Sequence, residues 1–177
     1  MEELDYIRKI LLQEPRGYPC QNVDYIFKAP TDSPKQHIQY VIGEQNKIYP
    51  LMSGHNTICV ATAVLECGVV MMKEPVTKFT MEAPAGPIEI TAKCENGKAK
   101  SIVLRNAPSF VEKLGVEVNV PQGIGTVTVD IAYGGMWYAV VDISQFKEKP
   151  SLNMELTARN GAELCRVGEM IKVACRE

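Results

Sequence analysis

Apolar positions recur at two spacings along this chain, and the switches between them mark its elements. Across residues 3–13, Leu4, Ile7 and Leu11 fall three or four apart, which predicts a helix buried along that stripe and ended by Pro15 and Gly17. A loop-rich stretch follows, punctuated by Pro19, Pro30 and Pro34. Residues 37–42 (HIQYVI) alternate and predict a short strand. The run SGHNTICVATAVLEC from Ser53 to Cys67 places Ile58, Val60, Ala61, Ala63, Val64 and Leu65 with no polar face. It predicts a helix buried on nearly every side, with Gly68 as its terminator. Residues 88–94 and 98–104 flank Asn96-Gly97, the pair favoured in a two-residue hairpin turn. Residues 125–133 alternate with Val127, Val129 and Ile131 on one face, and Gly134-Gly135 turns the chain into a further strand at 136–142. Residues 151–176 predict a last helix striped by Leu164, Val167 and Ile171, with Gly161 as a weak point. The sum is an α+β fold, an antiparallel or mixed sheet around one buried helix.

Composition narrows the classes. The 177 residues suit one domain or two small ones, and 46% hydrophobic with 23% charged residues is ordinary globular composition. That excludes a disordered tail, a coiled coil and a collagen-like fibre. A net charge of −2 leaves no basic excess for a nucleic-acid partner. No stretch approaches the roughly 20 apolar residues of a membrane helix, and the opening MEELDYIRKI is charged, unlike a signal peptide. The six cysteines contain no C-x-x-C pair, and with only His37 and His55 they build no zinc set. Four lie in apolar stretches, so buried, reduced thiols in a cytoplasmic protein are expected.

Chemistry concentrates at Met52-Ser53-Gly54-His55-Asn56-Thr57. Ser53 is a natural N-cap, since its hydroxyl can accept from a free N–H of the first helical turn. Gly54 permits close backbone approach, and the free N–H groups at the positive end of the helix form a site for a carboxylate or phosphate. Cap residues without further function are common, and a lone histidine is more often a satisfied polar residue than a catalyst.

The residues around this point carry a family resemblance. MSGHNTICVATAVLECG resembles the M-C-G-H-[GN]-[ST]-I segment of the proline racemase family, which includes proline racemases, hydroxyproline 2-epimerases and trans-3-hydroxyproline dehydratases. Glu14-Pro15-Arg16-Gly17 resembles E-P-R-G, and Glu74-Pro75-Val76-Thr77 leads into Ala83-Pro84-Ala85-Gly86, like the family's P-A-G strand start. Asn106-Ala107-Pro108-Ser109-Phe110 resembles N-V-P-S-F, and the segment 129–135 (VDIAYGG) resembles V-D-I-A-F-G-G.

The resemblance implies a diaminopimelate epimerase-like fold, a curved mixed sheet wrapped around a central helix, in a cofactor-free enzyme. The implied activity is racemisation or epimerisation of proline or hydroxyproline by α-proton abstraction and reprotonation. Two helix starts hold the substrate carboxylate and each offers one acid/base group. Ser53 then takes the catalytic position, and Gly54 and His55 the substrate-binding positions. The family base is usually cysteine, whose thiol ionises near 8.5; a serine hydroxyl is a far weaker acid and needs activation, for which His55 is the candidate. Cys59, six residues on, is expected to be a core thiol. A dehydratase, which needs one competent base, is therefore the alternative.

Two further expectations follow from the resemblance. The family's upstream H-T-x-G-E-P motif and its second-base motif, D-R-S-P-C-G-T-G, have no counterpart in the chain. Residues 1–110 are thus expected to form a first domain with its central helix at 54–67, and 111–177 an incomplete second domain. The chain acts either as part of such an enzyme or as a non-catalytic homologue that binds an imino-acid carboxylate. An uncovered Leu164/Val167/Ile171 stripe would invite self-association, with a homodimer the candidate assembly. Tyr40, Trp137, Tyr138 and Asp130 are assigned to structure rather than to the site.

Overall fold

The structure, a computed structural model, describes residues 2–30, 38–147, 149, 152 and 154–176. These fold as two compact units, residues 1–108 and 109–177.

In the first unit, helix α1 (Glu2–Leu12) forms where the periodicity predicts it but buries a different face. Asp5, Arg8 and Leu12 are buried, whereas Ile7 and Leu11 are 38% and 44% exposed. The cause is polar: Arg8 donates to Asp5 at 2.9 Å and to the backbone carbonyls of Glu44 and Gln45, drawing that side of the helix inward. The turn after α1 needs a glycine, because a Cβ on Gly17 would lie 2.1 Å from the Leu12 carbonyl.

Strand β1 (Asn22–Lys28) lies in the stretch expected to be loop. It pairs antiparallel with β2 (Ile38–Glu44), the strand expected at 37–42; His37 and Pro34 lie outside the described residues. β2 pairs in parallel with β3 (Val76–Ala83), and β3, β4 (Gly86–Glu95) and β5 (Lys98–Arg105) continue antiparallel, giving a mixed sheet in the order β1-β2-β3-β4-β5. Asn96 and Gly97 take φ of 54° and 69° between β4 and β5, the left-handed pair that a tight hairpin requires.

Helix α2 (Gly54–Glu66) packs on this curled sheet through Val60, Ala61, Val64 and Leu65, against Ile38, Tyr40, Ile42, Phe79, Met81, Ile88 and Ile90. Its opposite side is open within the unit: Ile58 is 43% exposed and Cys59 is also exposed. The expectation of a helix covered on nearly every side is corrected, since the sheet supplies one layer only. Gly68 ends the helix with φ 74°, letting Val70 N–H reach back to the Val64 carbonyl.

The second unit is an antiparallel sheet of β6 (Phe110–Val120), β7 (Gly125–Tyr133) and β8 (Trp137–Val140), with helix α3 (Gly161–Ala174) packed on it. Val167 and Ile171 are buried with Val118, Val120, Ile124, Val127, Val129 and Phe146. The expected uncovered stripe is therefore covered at those two positions, while Leu164 is half-buried. Gly161 begins α3 rather than weakening it. Trp137 and Tyr138, expected to fill core, are 53% and 55% exposed. Trp137 lies against Tyr133 and Phe110 at ring separations of 5.2 and 5.6 Å. Asp130 has the structural role assigned to it, accepting from Gly115 N–H at 2.8 Å.

Candidate functional site

The start of α2 is built from polar groups that hold one another in place. Ser53 has extended φ/ψ of −142° and 123°, as an N-cap should, and its Oγ accepts from Asn56 N–H at 3.4 Å. The Asn56 side chain donates to the same oxygen at 3.0 Å, and its carbonyl end accepts from Asn22 Nδ2 on β1 at 3.5 Å. Thr57 Oγ1 donates to the Ser53 carbonyl at 2.6 Å, which uses its single hydroxyl proton. The Tyr40 hydroxyl, 2.5 Å from Thr57 Oγ1, must then be the donor of that pair. Burial pushes the Tyr40 phenol above its usual range, keeping it a neutral donor. A chain of bonds thus runs from the sheet to Ser53, through the buried side chains of Tyr40, Thr57 and Asn56.

This arrangement assigns Ser53 Oγ a polarity. Both its acceptor sites face Asn56 donors, so its own O–H is left to donate outward. No hydrogen bond among the described residues joins His55 to Ser53, and the His55 side chain is exposed; the activator suggested by sequence is not engaged here. Gly54 and His55 present the first N–H groups of α2, which the helix itself leaves without acceptors. A Cβ on Gly54 would meet nothing within 4 Å, so glycine is not forced there by packing. Gly54 faces open space.

Sequence reasoning named Ser53, Gly54 and His55, and these three are consecutive at the helix start. It missed Asn56, whose signal was its place three residues after the cap, where a side chain can return to it. Burial pushes the carboxyl of Asp24 on β1 up to about 6, with His55 opposing the shift. The cysteine expectation is corrected: Cys20, Cys59, Cys67 and Cys165 are exposed and only Cys94 is fully buried. Cys59 is not a core thiol, because it lies on the open side of α2. Among the described residues, no group of three or more His, Cys, Asp or Glu is arranged to hold a metal ion. No helix among them is long and apolar enough to cross a membrane. A concave surface of about 880 Å³ lies elsewhere, bordered by Ile26, Phe27, Val69 and Met71. The helix start is singled out by its donor geometry, not by its volume.

Known proteins resemble this chain in sequence and in fold. The chain is 37% identical over 166 residues to a 4-hydroxyproline 2-epimerase of Agrobacterium fabrum, an alignment that covers 94% of the chain and 45% of that protein. Among solved structures, a probable proline racemase from Agrobacterium radiobacter with bound carbonate superposes with a TM-score of 0.70 at 39% identity. A hydroxyproline epimerase from Agrobacterium vitis with bound trans-4-hydroxy-L-proline gives 0.69 at 34%. Each superposition covers 81% of this chain and 41% of the other. The chain thus spans about half the length of the relatives it matches. Those neighbours place the architecture in the diaminopimelate epimerase-like class. The sequence model of the family described as proline racemase matches residues 1–177, and the chain belongs to that family.

Proposed function

We propose that the start of α2 is one half of a racemase or epimerase site for proline or hydroxyproline. The α-carboxylate sits on the N–H groups of Gly54 and His55, and Ser53 Oγ faces Cα. The single observation that carries this is the free donor array at Gly54-His55, beside a hydroxyl whose acceptor sites are filled. Hydroxyproline bound to one structural relative and carbonate bound to another support an anionic amino-acid ligand.

The chemistry is proton transfer at a weakly acidic carbon. The α-proton leaves toward a base on one face of Cα, negative charge spreads into the carboxylate, and a proton returns from the opposite face. Backbone N–H groups aimed at that carboxylate stabilise the charge as it develops. Ser53, set as a donor, fits the returning proton better than the departing one. The group on the opposite face belongs to the part of the family fold that these residues do not span. No cofactor enters the scheme, and the substrate is a small amino acid. The exposed free thiols at Cys20, Cys59, Cys67 and Cys165 fit a reducing, cytoplasmic setting.

A second reading has its own support. A dehydratase takes the α-proton with one base and expels a β-hydroxyl, and a Ser53 that donates but does not abstract is compatible with that division of labour. Proline and the hydroxyprolines incubated in deuterated water, followed by proton NMR, separate the readings. Loss of the α-proton signal that Ser53→Ala abolishes supports the racemase half-site. Loss of the hydroxyl from trans-3-hydroxyproline supports elimination. Exchange unaffected by Ser53→Ala would contradict the role given to Ser53.

A further inference from the structure

Two hydroxyls lie where the core beneath α2 would accept apolar side chains. Tyr40 on β2 is 1% exposed and belongs to the apolar cluster that α2 covers. Thr57 is 0% exposed and stands about one turn before Val60 and Ala61 on the helix. Phenylalanine and valine would fill nearly the same space without burying a hydroxyl. Each hydroxyl instead has a partner. Tyr40 Oη donates to Thr57 Oγ1 at 2.5 Å, and Thr57 Oγ1 donates to the Ser53 carbonyl at 2.6 Å. That carbonyl already accepts the ordinary helical bond from Thr57 N–H at 2.9 Å. It needs no second donor to be satisfied, so helix formation alone does not account for the pair.

The Ser53 carbonyl shares a peptide plane with the Gly54 N–H. The bond between them is planar and trans, so the two groups point in opposite directions. Holding the carbonyl with two donors therefore fixes the direction of the N–H that opens α2. The same donors draw charge onto the oxygen, which leaves the N–H of that amide more positive and a stronger donor. Tyr40 contributes by assigning a proton. With the phenol donating to Thr57 Oγ1, the Thr57 proton goes to the Ser53 carbonyl.

We propose that Tyr40 and Thr57 are positioning residues for ligand binding, aiming and strengthening the Gly54 N–H through the Ser53–Gly54 peptide. The role rests on the function proposed above, because that N–H is one of the donors given to the α-carboxylate. Both side chains are buried behind the cap, so they act through the peptide rather than by contact with the ligand.

Amide NMR of the 177-residue chain and its variants, titrated with trans-4-hydroxy-L-proline, tests this, with urea unfolding of each protein alongside. Tyr40→Phe and Thr57→Val should each weaken the ligand by about fivefold, the size expected for one hydrogen bond. Thr57→Ser keeps the hydroxyl and should bind within about twofold of the unmodified chain. In the Thr57→Val background, Tyr40→Phe should weaken the ligand no further, since its route to Ser53 is gone. A lowered urea midpoint with unchanged affinity in Tyr40→Phe and Thr57→Val overturns the proposal, because a purely structural pair behaves that way. Thr57→Ser weakening the ligand as much as Thr57→Val overturns it too. A further readout needs no ligand. The Gly54 amide nitrogen resonance responds to bonds on the preceding carbonyl and should move in Tyr40→Phe and in Thr57→Val. A resonance that stays still in both overturns the role of the pair and leaves the carboxylate site standing. If the unmodified chain binds no hydroxyproline at the start of α2, the function proposed above falls, and this role with it.

Discussion

Asn56 Nδ2 donates to Ser53 Oγ at 3.0 Å, and the Asn56 backbone N–H approaches the same oxygen at 3.4 Å. One residue therefore fills both acceptor positions of the hydroxyl and fixes where its proton points. An ordinary N-cap needs only the backbone bond, so the side-chain bond is an additional restraint on Ser53.

Asn56→Ala should separate these roles. It removes the side-chain bond, leaves Asn22 without its acceptor, and keeps the backbone cap. A net cost of about 1 kcal/mol is expected for the lost hydrogen bonding at this buried position. Urea unfolding followed by circular dichroism measures it. Stability unchanged by the substitution would show that the Asn56 amide does not hold Ser53.

Acid should unfold the first unit in part through Asp5. The hydrogen bond from Arg8, with Lys9 at 3.1 Å adding to it, holds the Asp5 carboxyl at about 2, below its ordinary 3.8. Between those values the unfolded chain binds the proton that the folded state refuses. The stabilisation is therefore complete above about pH 4 and is lost as pH falls toward 2. Arg8→Met removes the partner and also the donor for the Glu44 and Gln45 carbonyls, so its urea midpoint at pH 7 should fall clearly below that of the unmodified chain. Its remaining midpoint should change less between pH 5 and pH 2 than the unmodified chain's does. Equal acid sensitivity in the two proteins would contradict the role given to the pair.

How much of this was legible in the sequence depended on whether a rule was local. The Asn96-Gly97 hairpin, the cap at Ser53 and the stop at Gly68 are set by backbone sterics within a few residues, and they appear as expected. The buried side of α1 was misjudged because Arg8 is held by carbonyls 36 and 37 residues away, which no periodicity reports. Strand β1 was missed behind its neighbouring prolines, although Val23, Tyr25 and Phe27 alternate within it. At the site, consecutive residues were found from the motif. Asn22 and Tyr40 reach the start of α2 only through the sheet, from 13 or more positions upstream of it, and spacing alone could not bring them there.

Gly54 offers a substitution that adds bulk at the site without disturbing packing. A methyl there meets no atom within 4 Å and extends a helix rather than straining a turn. Gly54→Ala should fold with unchanged or slightly raised stability, by up to about 1 kcal/mol from helix propensity, and the methyl should obstruct a carboxylate approaching the first N–H groups. Thermal unfolding checks the first half of that statement. A lowered midpoint would contradict it.

The central claim, that the free N–H groups opening α2 receive an amino-acid carboxylate, is tested most directly by amide NMR of the 177-residue chain titrated with trans-4-hydroxy-L-proline. The account predicts that the Gly54 and His55 amide resonances shift most, saturably, and that Gly54→Ala removes the response while remaining folded. Saturable shifts centred on other residues, or none at the start of α2, would contradict it.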